Sequence, residues 1–114
     1  MSLERFEEII AWQKAKTLTV MIYKIFENSK DFGFKDQIQI ASVSIRNNIT
    51  EGFERYSNTE LKHFLYIAKG SCGELRSMLY ISKDWNKINQ DVFEKLIKLS
   101  DEVSRLISGF IKTL

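Results

Sequence analysis

The sequence predicts an all-α protein, an antiparallel up-and-down four-helix bundle. Three observations lead there. Apolar residues recur in alternating three- and four-residue steps along four long segments; no proline interrupts the chain; and short stretches rich in Asn, Ser, Asp and Gly separate the segments. Connections that short make neighbouring helices antiparallel. At 114 residues the chain is long enough for one core and too short for two, so residues 1–114 are expected to form a single domain.

In the first segment Ala11, Ala15, Leu18, Ile22 and Ile25 share one helical face. They predict a helix from about Leu3 to Phe26, with Ser2 as N-cap and Glu4 in the first turn opposing the dipole. Glu27 to Gly33 is turn chemistry. Helix two carries Phe34, Ile38, Ala41, Ile45 and Asn48 at the same stepping and is expected to end near Gly52, with that glycine as a left-handed C-terminal cap. Ser57-Asn58-Thr59-Glu60 reads as a capping box opening helix three, with Tyr56 and Leu61 as its hydrophobic staple.

Helix three continues through Leu61, Leu65, Ala68, Cys72, Leu75 and Leu79 and ends near Trp85. Asn89 caps helix four, whose main stripe is Val92, Leu96, Leu99, Val103, Leu106 and Phe110. Two further apolar lines stand beside these stripes: Phe64, Ile67, Met78, Ile81 and Trp85 on helix three, and Phe93, Ile97, Ile107, Ile111 and Leu114 on helix four. They are either the flanks of a wide core-facing stripe or an interface between copies, and the expectation is a homo-oligomer.

Composition narrows the function classes. Lys plus Arg number 17 and Asp plus Glu 15, so net charge (+2) neither demands nor forbids a nucleic-acid partner. The N-terminus lacks a basic segment followed by an apolar run, and no window approaches a membrane span, which gives the expectation of a soluble cytoplasmic protein. Glu60 and His63 form the E-x-x-H fragment of di-iron bundles, but that site needs two such motifs and His63 is the single histidine. Cys72 lies on the inward stripe, where a thiol behaves as a small hydrophobe. Without a nucleophile-base set or a phosphate-binding glycine loop, no enzyme, cofactor, metal or small-molecule substrate is expected.

Folding helix two back on helix three about residue 55 sets Ala41 beside Gly70 and Gln37 beside Glu74. Gly70 and Gly73 then read as positions of close backbone approach, with Ala41, Ser42, Ser44 and Ser71 around them. Glu74, on an apolar line, is expected to be buried with Gln37 or Ser71 as partner, and Asn48 to cap backbone near Gly52. Both polar residues are read as fixing register, with a catalytic carboxylate as the competing reading. Lys62, Lys69, Arg76 and Lys83 recur every seven residues, with Tyr66, Gly73 and Tyr80 between them. Together with Arg55 they are candidates for binding RNA or single-stranded DNA through phosphate contacts and base stacking; the competing reading is a solvated helix face.

Ser44-Ile45-x-x-Asn48-Ile49-x-Glu51-Gly52-x-x-Arg55, followed by Phe64-Leu65-x-x-Ala68-x-Gly70-Ser71-x-x-Glu74-Leu75, resembles the bacterial four-helix bundle proteins encoded in intervening sequences of 23S ribosomal RNA genes. Ile10-Ala11-Trp12-Gln13-Lys14-Ala15 and Gln37 fit the starts of helices one and two in that family. The resemblance implies a four-helix bundle without known enzymatic activity. Its kinship with the accessory proteins of diversity-generating retroelements implies a barrel-like homopentamer with a basic, nucleic-acid-binding surface. The chain departs from the pattern at Gln39-Ile40, where relatives carry a basic pair, at Thr50 in place of Ala, and at Met78 in place of Gln.

Overall fold

A computed structural model describes residues 3–114; the expected cap at Ser2 lies outside them. Its four helices are α1 (Ile10–Phe26), α2 (Phe32–Phe53), α3 (Asn58–Asp84) and α4 (Gln90–Lys112), and no strand occurs among the described residues. They form the antiparallel up-and-down bundle that the periodicity predicts. Each helix packs on its neighbours in sequence, α1 also packs on α4, and the pairs α1/α3 and α2/α4 stand across the diagonals. The bundle measures 43 × 23 × 19 Å.

The start of the chain corrects the expectation of one continuous first helix. Phe6–Glu8 make a single 3-10 turn and Ile9 is extended (φ −74, ψ 120) before α1 begins. Burial of Ile9, the edge-to-face contact of Phe6 on Trp12 at 5.2 Å and a bond from Gln13 Nε2 to Glu7 O at 2.8 Å hold this corner. Further along α1, Phe26 is buried and Ile25 is exposed, so the inward stripe takes a four-residue step after Ile22. Asp31 caps α2 by accepting from Phe34 N at 3.3 Å; Ser57 accepts from Glu60 N at 3.2 Å and Asn89 from Val92 N at 2.8 Å, as the sequence predicts for α3 and α4. The staple at α3 does not form, because Tyr56 is fully exposed.

Gly52 is buried but not left-handed, since no glycine among the described residues has positive φ. Its value lies in packing. A Cβ there would stand 2.8 Å from Phe64 Cβ and 3.2 Å from Leu61 O, so α2 and α3 meet backbone to backbone at this point. Gly70 and Gly73 do not serve that purpose: nothing lies within 4 Å of a Cβ built at Gly70, and only the tip of Arg76 is near one at Gly73. The register differs from expectation by roughly one helical turn, with Ser44 rather than Ala41 against the Gly70-Ser71 step. Among the described residues the left-handed one is Asn86 (φ 56), which ends α3 and lets Lys87 N reach Ser82 O at 2.8 Å.

Ile38, Ile45, Ile49, Leu65, Cys72, Leu75, Leu79, Leu96, Val103 and Ile107 fill the centre. The second line of α4 is largely absorbed there: Phe93, Ile107 and Ile111 are buried, while Leu99, Leu106 and Phe110 of the expected main stripe are only half-buried. Polar groups that enter the core are hydrogen-bonded there, as Thr19 Oγ1 is, 3.0 Å from Ala15 O in its own helix and 3.1 Å from Ser42 O of α2.

Candidate functional site

Candidate residues fall on two seams of the bundle, one on each side of α3. The basic line occupies the α3/α4 side. Lys69 Nζ lies 2.8 Å from Ser108 Oγ and 3.3 Å from Ser104 Oγ. Arg76 approaches Asp101 at 3.9 Å, and Arg105 binds the same carboxylate at 2.7 Å. Lys83 Nζ stands 4.6 Å over the Phe93 ring, which meets Tyr80 edge-to-face at 5.0 Å. Several of the cationic heads thus fold along the seam onto α4. Only one of these partners, Asp101, is anionic, and pairs this exposed cancel little charge. Lys62 forms no ion pair among the described residues, and Tyr66 and Tyr80 stay exposed.

Arg55 does not join this seam. It sits at the α2–α3 turn with Nη2 2.6 Å from Glu51, Nη1 3.5 Å from Glu60, and its guanidinium 5.0 Å over Phe64. The Glu51 hydrogen bond and charge raise its pKa above the usual arginine value. Glu60, expected to complete the capping box, is drawn to Arg55 instead.

On the other side of α3, the motif residues line the outer α2/α3 seam. Ser44 Oγ and Ser71 Oγ are 2.9 Å apart, and Asn48 Nδ2 donates to Ser44 O at 2.8 Å and lies 3.0 Å from Ser44 Oγ. Asn48 therefore bonds one turn back along α2 rather than capping backbone near Gly52. Glu74 is exposed, not buried, and neither it nor Gln37 has a side-chain bond among the described residues. Around this polar row Ile40 (66% exposed), Ile67 (39%), Ile81 (39%) and Trp85 (68%) remain open to solvent.

The sequence missed Phe93, Asp101, Ser104, Arg105 and Ser108 as members of the basic seam. A signal existed in Ser100, Ser104 and Ser108, which recur every four residues on α4. What the helical pattern lacked was the register that brings them to Lys69. Among the described residues no three of His, Cys, Asp and Glu converge as metal ligands, and no helix is long and apolar enough to cross a membrane.

Comparison with known proteins agrees with this architecture. The family model for 23S rRNA-intervening sequence protein matches residues 7–109. A crystal structure from Bacteroides thetaiotaomicron, described as a protein of unknown function from the S23 ribosomal protein family, superposes with a TM-score of 0.84 at 25% identity, covering 90% of this chain and 99% of that one. No curated protein sequence matches the chain.

Proposed function

The chain belongs to the 23S rRNA-intervening sequence protein family, and from that premise we propose that it is a non-enzymatic interaction module that self-associates through its outer α2/α3 seam. The observation that carries this reading is the row of exposed Ile40, Ile67, Ile81 and Trp85 beside Ser44, Asn48, Glu74 and Gln37. An apolar patch interleaved with polar groups that have bonding capacity to spare is the composition of a protein interface. A closed ring covers such a face on every copy, and five copies is the number that the resemblance implies. In the ring the α3/α4 seams of several chains add their charge, and the ligand proposed for them is RNA or single-stranded DNA, bound by Lys62, Lys69, Arg76 and Lys83 with Tyr66 and Tyr80 for stacking. The protein-only reading draws its support from the in-chain partners of Lys69, Arg76, Lys83 and Arg55.

Light scattering tests the assembly: the expected mass is several times 13.4 kDa, and Ile40→Glu with Ile67→Glu reduces it to that of one chain. A monomeric wild type overturns self-association. For the ligand, a salt-dependent mobility shift of labelled single-stranded RNA is expected, abolished by Lys69→Glu with Arg76→Glu. Absence of any shift at low salt leaves the protein-only module.

A further inference from the structure

A third groove, of about 710 Å³, runs between α1 and α2 on the side away from the basic line, and the family motif does not account for it. Its lining includes Tyr23, Lys24 and Glu27 from α1 and Lys35, Gln39 and Arg46 from α2, three cations against one carboxylate. Lys35 Nζ donates to the Glu27 backbone carbonyl at 3.0 Å, which leaves both side-chain charges in place. Arg46 is unlike every other cation in the protein. Its Nε is buried without an acceptor, the one buried side-chain nitrogen or oxygen among the described residues in that condition.

A guanidinium keeps its proton at any accessible pH, and burial of Nε anchors the side chain while its terminal Nη groups, which form no hydrogen bond or ion pair among the described residues, carry the charge to the groove. The fork of those groups matches two oxygens of a phosphate. Lys35 and Arg46 are separated along α2 by about 16 Å, more than one phosphate spans. A single phosphate at Arg46 therefore leaves the Lys24 and Lys35 end of the groove unused. Tyr23, exposed between the two ends, offers a ring for a base or another flat group.

We propose that the α1/α2 groove binds a ligand carrying two or more phosphates, with Arg46 anchoring one and Lys24 and Lys35 receiving the next. Such phosphates have two sources, a small polyphosphate compound or the backbone of a single strand. The site does not depend on the α3/α4 seam or on self-association.

The test is nuclear magnetic resonance of the full chain, following backbone amides and arginine Nε–Hε signals as pyrophosphate or an octathymidylate is added at constant ionic strength. Pyrophosphate is expected to move the Arg46 Hε signal and the amides of residues 19–27 and 35–46, with chloride moving neither. Arg46→Met, which keeps the apolar stem, is expected to weaken binding by about tenfold or more, the effect of one charge-assisted hydrogen bond. Lys24→Gln, at an exposed position, provides the same readout if the Arg46 variant fails to fold. Octathymidylate that competes with pyrophosphate for the groove identifies a strand backbone as the source; pyrophosphate binding without such competition identifies a small polyphosphate. The proposal is overturned if neither probe moves the Arg46 Hε signal, or if both variants bind as the wild type does. Lys69→Glu with Arg76→Glu should leave these shifts unchanged, so that failure here and failure of the basic seam are read separately.

Discussion

Gly52→Ala isolates the closest approach in the bundle. The added methyl would stand 2.8 Å from Phe64 Cβ, 3.1 Å from Leu61 Cδ1 and 3.2 Å from Leu61 O, where ordinary contact begins at 3.4 Å. Leu61 Cδ1 can rotate away. Phe64 Cβ and the Leu61 carbonyl cannot, because both are fixed to the α3 backbone, so the two helices must part by more than half an ångström. Forcing a methylene into a packed site costs about 1–3 kcal/mol. Against this, replacing a helical glycine by alanine gains up to about 1 kcal/mol, and less at the penultimate residue of a helix than in its middle. The expected net is a loss of about 1–2 kcal/mol. Gly70→Ala supplies the control: Gly70 lies mid-helix with nothing within 4 Å of the new methyl, so it should gain about 0.5–1 kcal/mol. Urea unfolding followed by circular dichroism at fixed protein concentration measures both, since assembly couples to stability. A gap of about 1.5–3 kcal/mol is expected between the two variants. Equal stabilities would refute the claim that Gly52 is required by helix contact rather than by backbone conformation.

Three further outcomes follow from single contacts. Burial pushes the Cys72 thiol up to about 11, against smaller opposing effects of Arg76 and Lys69; alkylation of the native protein near neutral pH should therefore proceed only through opening. Because the unfolded thiol ionises first, this residue's contribution to stability is complete below pH 9 and lost as pH rises towards 11, a decline that Cys72→Ala should lack. Asp31 is held below the usual aspartate range by Lys87 and then by the Phe34 N–H, so its contribution is present at neutral pH and lost as acid protonates the folded carboxylate; melting curves of Asp31→Asn and wild type should converge in acid. Asn86→Ala should cost about 1 kcal/mol, since alanine pays the left-handed penalty that asparagine bears better, whereas Asn86→Gly should be near neutral in the same urea experiment.

The four helices, the caps at Ser57 and Asn89 and the inward stripes of α2 and α3 were legible because they depend on spacing within one helix. The corner at Ile9 was not: its cause is a contact between Phe6 and Trp12 and burial against the bundle, neither of which leaves a turn residue in the sequence. Membership of an apolar line does not bury Glu74. On α3 that line lies partly outside the core, with Ile67 and Ile81 exposed on either side of Glu74. The candidate cations were visible as a seven-residue repeat, but not the α4 serines and aromatic ring that receive them.

By itself the sequence determined the fold class, the family pattern and the identity of the residues that could carry charge to a ligand, since each is set by local periodicity or composition. Tertiary structure alone decided that Gly52 rather than Gly70 is the point of helix contact, that Ser44 bonds Ser71, and that Arg46 presents an unpaired buried donor between α1 and α2. Those facts depend on the axial register of one helix against another. A helical repeat names the face that a helix turns inward, but sliding two such faces by a turn preserves apolar contact, so only close packing at particular residues selects the register.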